Sequence, residues 1–187
     1  MNTLILRDGA WLGDTTDGVG LVRDIQVNRG CALAGKDVLL LGAGGAARGV
    51  VGPLLAAHPR TLAIANRTLH KAEALASAFA KEGAVASMSF EQFEDAVFDV
   101  VIDATSASLT DEETLHLPPV QLRPGALAYE LAYGKADTGF RRWAKECGAS
   151  TYADGLGMLV EQAAESFHLW RGVRPDTAPV LTQLRSL

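Results

Sequence analysis

Three small residues stand at the spacing of a dinucleotide-binding loop. Gly42, Gly44 and Ala47 form a G-x-G-x-x-A pattern that follows an apolar run and precedes a helical one. In such a loop the first glycine allows a tight turn, and the second lets backbone N–H groups approach a pyrophosphate. The third small residue packs the helix against the strand, and the helix N-terminus faces the anion. The pattern predicts a dinucleotide site, although a glycine-rich turn without a ligand remains the alternative.

The residues about twenty positions further on favour NADP over NAD. An NAD site usually has a carboxylate there, at the end of the second strand, to bind the ribose hydroxyls. This chain has Asn66, Arg67 and Thr68, with Lys71 one helical turn later. A guanidinium offers a planar pair of donors to a 2′-phosphate, which a carboxylate would repel. The alternative is a merely solvated Arg67, but a cation at a helix start opposes the helix dipole.

Alternating strands and helices must position these groups. Short apolar runs predict buried parallel strands, and patterns of three-to-four spacing predict the helices between them. This alternation indicates an α/β fold, a doubly wound parallel sheet (Rossmann-like) with a C-terminal helical segment. The predicted strands are 36–41, 61–65, 98–104, 126–131 and 151–153, and the predicted helices are 45–57, 69–81 and 138–147. A last helix should bury an apolar stripe made of Leu156, Leu159, Val160, Ala163, Phe167 and Trp170, and Trp143 should also lie in the core.

The first thirty residues do not follow this alternation. A turn at Asp8-Gly9 predicts a hairpin, and Asp17 begins an amphipathic helix that reaches about Gln26. We therefore divide the chain into a connecting segment, residues 1–30, and a nucleotide-binding domain with C-terminal helices, residues 31–187. Because the segment starts directly with a strand, we expect it to be the remnant of a larger domain.

Composition excludes several classes of protein. A chain of 187 residues with a net charge of −5 has the size of about one domain and no excess of cations for nucleic acid or an anionic membrane. Two cysteines without C-x-x-C spacing and no apolar leader indicate a reduced, cytoplasmic protein. The four histidines lack metal-ligand spacing, so we predict no metal. The most apolar window, residues 38–57, contains Arg48 and Pro53 and splits at Gly42, so we predict no membrane segment.

Five segments together closely resemble the shikimate dehydrogenases, in order and in spacing, across essentially the whole chain. They are Thr16-Asp17-Gly18-Val19-Gly20, Gly42-Ala43-Gly44-Gly45-Ala46-Ala47-Arg48, Asn66-Arg67-Thr68, Ala104-Thr105-Ser106 and the run from Asp154 to Ala164. The resemblance implies reversible, NADP-dependent reduction of 3-dehydroshikimate to shikimate, a step in aromatic amino-acid (chorismate) biosynthesis. It also implies that a substrate domain with a catalytic lysine is largely absent from this chain.

The resemblance assigns roles to individual residues. Asp17 matches the catalytic aspartate that, with the lysine, surrounds the reacting oxygen. Asn2, Tyr133 and Gln162 match groups that bind the substrate. The cofactor-binding residues it implies are Gly42, Ala43, Gly44, Gly45, Ala46, Asn66, Arg67, Thr68, Lys71, Thr105, Leu131 and Gly155.

Three residues depart from the family pattern, and several alternatives stay open. Thr15 and Asp103 each stand where the family has Asn, and Glu130 stands where it has Asp. From the residues alone, Asp17 is better explained as a helix cap. The rival functions are a non-catalytic NADP-binding or regulatory module and a quinate/shikimate dehydrogenase. We expect the isolated chain to bind NADP but to turn over shikimate negligibly, and a homodimer is left open.

Overall fold

The computed structural model describes residues 1–93, 95–105 and 117–186. Its main body is a six-stranded parallel sheet with helices on both faces, which confirms the predicted Rossmann-like α/β fold. No helix in these ranges is long and apolar enough to span a membrane. The strands are β1 (Thr3–Arg7), β2 (Ala10–Asp14), β3 (Asp37–Leu41), β4 (Thr61–Ala65), β5 (Val85–Met88), β6 (Val97–Asp103), β7 (Gln121–Glu130) and β8 (Thr151–Ala153). The α-helices are α1 (Asp17–Arg23), α2 (Gly45–Ala56), α3 (Leu69–Phe79), α4 (Gly139–Glu146), α5 (Leu156–Arg171) and α6 (Ala178–Leu184).

The order of the strands creates one crevice at the carboxyl edge of the sheet. The order is β5-β4-β3-β6-β7-β8, so the chain turns outward in opposite directions from β3 and from β6. Ligands of open α/β sheets bind where the strand order reverses in this way. The loops that follow β3 and β6 are therefore the expected place for a nucleotide.

Alternate residues of the central strands build the core on both faces of the sheet. In β3, Val38 and Leu40 pack against α1, α2 and α3, whereas Leu39 and Leu41 pack on the opposite face with Phe140 of α4. This alternation follows from the two-residue period of a strand. Each fully buried leucine contributes ~1.5–3 kcal/mol of transfer free energy, so the sheet carries much of the stability.

A separate two-stranded sheet precedes this body. Strands β1 and β2 pair antiparallel around Asp8 and Gly9, whose φ angles are +51° and +78°. Positive φ at both turn residues is what a two-residue hairpin requires, and it is why Asp-Gly is favoured there. The helix predicted from Asp17 to about Gln26 is α-helical only to Arg23 and continues as a π-helix over Asp24–Asn28.

Two strand predictions need correction. Strand β5 was missed, because Val85-Ala-Ser-Met is short, lies at the sheet edge and has no buried alternation. Strand β7 begins at Gln121 rather than Ala126, although Pro124 and Gly125 are typical of a turn. The pairing of β6 with β7 shifts between Phe98 and Val100, and this irregularity accommodates the extra residues.

The prediction that α5 buries its apolar stripe is wrong. Its residues Leu159, Phe167 and Trp170 are exposed, and 56% of Trp170 is accessible to solvent. Small and polar residues instead face the protein, among them Gly157, Glu161 and Ala164, together with Val160. The close approach of α1 explains the difference, because bulky side chains do not fit between two helices in contact. Trp143, by contrast, is buried as predicted.

Candidate functional site

The loop between β3 and α2 leaves its glycines open on one side. Gly42 has a φ of +105°, and a Cβ there would lie only 3.0 Å from the carbonyl oxygen of Ala104, so a side chain is disfavoured. Gly44 differs, because a Cβ there would meet no atom within 4 Å, and the same is true of Gly45. The loop between Gly42 and Ala46 therefore has room for a ligand beside its backbone, at the N-terminus of a twelve-residue helix.

Two cations, Arg67 and Lys71, lie where β4 ends and α3 begins. Asn66 Nδ2 donates to the carbonyl oxygen of Thr68 at 3.0 Å and thus shapes the turn. Thr68 occupies the N-cap of α3, but its side chain makes no capping hydrogen bond, and the first helical turn has no acidic residue. Within the described ranges, neither Arg67 nor Lys71 pairs with a carboxylate. The arrangement suits an anion.

The loop after β6 brings the hydroxyl of Thr105 to the crevice, next to the buried carboxylate of Asp103. Asp103 is buried, and its Oδ1 accepts a hydrogen bond from the backbone N–H of Thr105 at 2.9 Å. Its carboxylate is thus bound to its own chain. The hydroxyl of Thr105 is buried without a partner among the described residues, so it is available to a ligand. Ser106, the last residue of that motif, lies outside the described residues.

Leu131 and Gly155 lie against each other at the end of β7 and the start of α5. A Cβ on Gly155 would collide with the carbonyl of Leu131, and Gly155 N donates to the carbonyl oxygen of Ala132 at 3.0 Å. Tyr133 follows on the surface, 53% exposed and without a hydrogen bond to the part of the chain that the structure describes. Its hydroxyl is available to an incoming molecule.

Three of the predicted substrate-side residues form one cluster. Asn2 Nδ2 donates to Asp17 Oδ1 at 2.8 Å and to Gln162 Oε1 at 3.2 Å. The second oxygen of Asp17 accepts from Thr15 Oγ1 at 3.1 Å. Asp17 Oδ2 also lies 4.0 Å from the Cβ position of Gly49, on the helix that begins at the glycine loop. The carboxylate therefore lies next to the same helix whose N-terminus faces the predicted pyrophosphate.

Asp17 does not cap α1, the alternative that its sequence context favours. The N-cap is Thr16, which makes no side-chain capping bond, and the Asp17 side chain bonds to Asn2 and Thr15 instead. Its two oxygens accept two donors and contact no cation within the described ranges. A carboxylate held in this way can accept a proton from a ligand.

Close helix contacts that sequence analysis missed hold this cluster in place. A Cβ on Gly18 would lie 2.7 Å from the carbonyl oxygen of Gly49, and one on Gly20 would lie 2.6 Å from the backbone N of Gln162. Helix α1 thus needs glycine where it touches α2 and α5. The only signal in the sequence is the spacing Asp-Gly-x-Gly.

Buried charges behind the cluster were also missed. Asp24 of the π-helix accepts from Tyr129 Oη at 2.7 Å and from Asn28 Nδ2 at 2.8 Å. Glu161 of α5, fully buried, accepts from Arg23 Nε at 2.7 Å and from Asn28 Nδ2 at 3.1 Å. Burial, with the nearby charge of Asp24, raises the pKa of Tyr129, so its hydroxyl stays a donor. These bonds join α1, β7 and α5.

No thiol or metal cluster accompanies the site in the described residues. Burial raises the pKa of Cys31 and of Cys147, so neither thiol is activated as a nucleophile. Groups of three His, Cys, Asp or Glu residues at ligand distance are absent from 1–93, 95–105 and 117–186.

Comparisons with known proteins give a consistent result. Residues 25–115 match the family model "Shikimate / quinate 5-dehydrogenase", and residues 155–185 match "Shikimate 5'-dehydrogenase C-terminal domain". The chain is 55% identical over 186 residues to the shikimate dehydrogenase (NADP(+)) of Dechloromonas aromatica. It is 57% identical over 187 residues to that of Methylobacillus flagellatus. In both comparisons it spans 68% of the relative's length.

Solved structures of longer enzymes also match nearly the whole chain. An Ael1 enzyme from Pseudomonas putida matches 97% of the chain with a TM-score of 0.85 and 50% identity, and the match covers 66% of that enzyme. A shikimate 5-dehydrogenase from Thermus thermophilus, in complex with NADP(H) and shikimate, matches 98% of the chain with a TM-score of 0.77 and 29% identity. The match again covers 66% of the longer protein.

Proposed function

Because the chain belongs to the shikimate dehydrogenase family, we propose that it supplies the nucleotide site and one wall of the substrate site of an NADP-dependent shikimate dehydrogenase. The predicted family, the oxidoreductase class and the NADP cofactor are confirmed by relatives that are more than half identical. The roles of single residues, and the share of the reaction that this chain carries, are our proposals.

The nucleotide side of the proposal rests on groups that are open, or that have no partner in the part of the chain that the structure describes. The glycine loop would hold the pyrophosphate, because Gly44 and Gly45 leave space beside the backbone. Arg67, Thr68 and Lys71 would hold the 2′-phosphate, and the buried hydroxyl of Thr105 would bind a further polar group of the nucleotide. Bound NADP supplies the hydride acceptor or donor of the reaction.

Ala43, Ala46 and Asn66 support the same loops, in different ways. Ala43 and Ala46 are small residues beside the open backbone of the glycine loop, and Asn66 holds the turn at Thr68. Leu131 and Gly155 would flank the nicotinamide, where the absence of a side chain on Gly155 lets the two segments meet. Tyr133 would contribute its free hydroxyl to the substrate.

The substrate side rests on one observation, the cluster of Asn2, Asp17 and Gln162. In the oxidation direction a substrate hydroxyl must lose its proton, and the Asp17 carboxylate would accept it. Asn2 and Gln162 would orient the substrate by hydrogen bonds. Asp17 lies beside α2, so proton acceptor and nucleotide loop share one supporting helix.

An isosteric substitution tests this assignment. In the chain complemented with a relative's substrate domain, Asp17→Asn removes the proton acceptor and should lower kcat for shikimate oxidation by about 10²- to 10⁴-fold, with the Kd for NADP+ changed less than about twofold. The control is Asp8→Asn, which removes a carboxylate from the hairpin turn, where a φ of +51° suits Asn. If Asp17→Asn keeps full turnover, the catalytic role is wrong. If the unaltered chain binds NADP+ but shows no turnover even with a full-length relative's substrate domain added, the non-catalytic module is favoured.

Quinate is the second candidate substrate, since the matched family model names both compounds. The ratio of kcat/KM for shikimate and quinate decides between them. A homodimer, a cytoplasmic location and the division at residue 30 are also proposals. The pairing of β1 with β2 alone supports setting the hairpin apart from the six-stranded sheet, whereas α1, which also precedes residue 30, packs on the core of the main body.

A further inference from the structure

Three buried hydroxyls lie directly behind Asn2 and Gln162. They belong to Thr3 on β1, Thr16 at the start of α1 and Ser166 on α5, each at most 6% exposed. Ser166 Oγ lies 2.7 Å from Thr3 Oγ1, 3.0 Å from Thr16 Oγ1 and 3.1 Å from the carbonyl oxygen of Gln162, and its single hydrogen is donated to one of the three at a time. Buried hydroxyls are rarely without partners, so this hydroxyl cluster ties the three segments together.

The backbone N–H of Thr16, together with the hydroxyl of Thr3, determines which end of the Asn2 amide points outward. The backbone N–H of Thr16 donates to Asn2 Oδ1 at 3.1 Å, and Thr3 Oγ1 lies 3.0 Å from the same oxygen. Because a backbone N–H can only donate, the atom it meets must be the amide oxygen. Asn2 Nδ2 therefore points to Asp17 and Gln162.

The same reasoning fixes the amide of Gln162. Its Oε1 accepts from Asn2 Nδ2 at 3.2 Å and from Thr16 Oγ1 at 3.1 Å. Its Nε2 donates to the carbonyl oxygen of Leu159 at 3.0 Å. An amide nitrogen has two hydrogens, so one stays without a partner among the described residues and can be donated to a ligand oxygen.

We propose that Ser166 is a positioning residue which, by a hydrogen-bond relay through Thr3 and by packing against Thr16, holds one N–H of Asn2 toward Asp17 and one N–H of Gln162 toward the ligand. Asp17 is then an acceptor between donors, a pattern that suits a vicinal diol or a hydroxyl group. The inference rests on the proposed substrate roles of Asn2 and Gln162. It goes further by naming a residue that those roles do not include.

Hydrogen exchange of the side-chain amides tests the proposal without turnover. In ¹⁵N-labelled chain, Ser166→Ala should speed exchange of the Asn2 NH2 group at least about tenfold, the equivalent of one lost hydrogen bond. Ser166→Thr, which keeps the hydroxyl, should restore slow exchange. The matched control is Thr182→Ala on α6, because Thr182 also donates to the carbonyl four residues earlier but is exposed.

The outcomes separate positioning from mere stabilisation. If Ser166→Ala lowers the melting temperature but leaves Asn2 exchange within about twofold of the unaltered chain, the proposal is overturned. Should the alanine variant fail to fold, Ser166→Cys keeps the volume but bonds weakly, and the same increase in exchange is expected. Failure of the proposed function would be seen in a different experiment, the kinetic one, as full turnover by Asp17→Asn.

Discussion

The hydroxyl of Tyr129 donates a hydrogen bond of 2.7 Å to Oδ2 of Asp24, and both side chains are buried. Tyr129 lies on β7, which leads to Leu131, whereas Asp24 follows the helix that begins at Asp17. The hydroxyl of Tyr129 also accepts from the backbone N–H of Met158 at 3.2 Å, on α5. One buried pair thus connects the cofactor side of the site with the substrate side.

Removing the two partners of this pair should have unequal costs. Tyr129→Phe leaves one carboxylate oxygen short of a donor and should lower the free energy of unfolding by ~1–3 kcal/mol. Asp24→Ala also removes the partner of Asn28 and should cost ~3–5 kcal/mol. Urea unfolding measures both, with Tyr133→Phe as the control, since its side chain is exposed and its hydroxyl makes no hydrogen bond within the described residues. If neither Tyr129→Phe nor Asp24→Ala lowers the free energy of unfolding measurably, the pair does not stabilise the fold.

Cofactor choice should depend on Arg67. Arg67→Ala should raise the Kd for NADP+ about 10- to 100-fold and leave that for NAD+ nearly unchanged, because only NADP+ has the 2′-phosphate. Arg67→Asp should shift the preference toward NAD+ by repulsion. Isothermal titration measures these constants, and Lys81→Ala, an exposed cation past the other end of α3, is the control. Equal losses for both nucleotides would refute the assignment.

Gly44→Val should abolish dinucleotide binding without unfolding the protein. The φ of Gly44 is −84°, which L residues adopt, and a Cβ there meets no atom of this chain within 4 Å. The added side chain would instead occupy the space beside the loop that the pyrophosphate needs. Circular dichroism and thermal unfolding check the fold, and nucleotide titration checks binding. Retained affinity would make the loop structural only.

The amino edge of the sheet should make stability depend on acid pH. The hydrogen bond from Arg60 lowers the pKa of Asp37, as do the charges of Arg60 and Arg123. Burial acts to raise the pKa of Asp99, but hydrogen bonds from Asp37 N and Lys36, with the nearby cations, bring it below its usual value. Because both pKa values are lower in the folded state, this stability is present above about pH 4 and is lost as pH falls through the folded values.

Asp37→Asn tests that pH dependence. The variant should be less stable at pH 7 and should lose less of its free energy of unfolding between pH 7 and pH 3 than the unaltered chain. Asp137→Asn is the control, because its ion pair with Arg142 is exposed. Urea midpoints at both pH values give the comparison. An unchanged pH dependence in Asp37→Asn would contradict the expectation.

Local patterns predicted several elements well. The glycine loop, the strands around 37–41 and 61–65 and the Asp8-Gly9 turn each depend on residues close in sequence. The periodicity of α5 led to a wrong prediction of its buried face, because apolar side chains at helical spacing do not show which face of a helix contacts the rest of the protein. The buried face of α5 is determined by its contacts, as Gly157 shows, because a Cβ at this position would collide with the Asp24 carboxylate.

The cluster of Asn2, Asp17 and Gln162 was predicted only through the family resemblance. Asn2 and Gln162 are 160 positions apart in the chain, and no periodicity links a terminal asparagine to a helix near the other end. The hydroxyls that fix their amides follow from the contact of β1, α1 and α5. Such contacts depend on how helices cross, which single-sequence patterns do not encode.

The indole of Trp170 donates to the carbonyl oxygen of Leu4 at 2.9 Å and so joins the end of α5 to the hairpin. An indole in water and an indole bonded to a backbone carbonyl fluoresce at different wavelengths, so loss of this contact should shift the emission of Trp170. With Trp11 and Trp143 replaced by phenylalanine, the fluorescence of the remaining tryptophan would report when the hairpin leaves the helix. The protein thus carries its own optical probe at the junction next to Asn2, and hairpin motion can be followed without an attached dye.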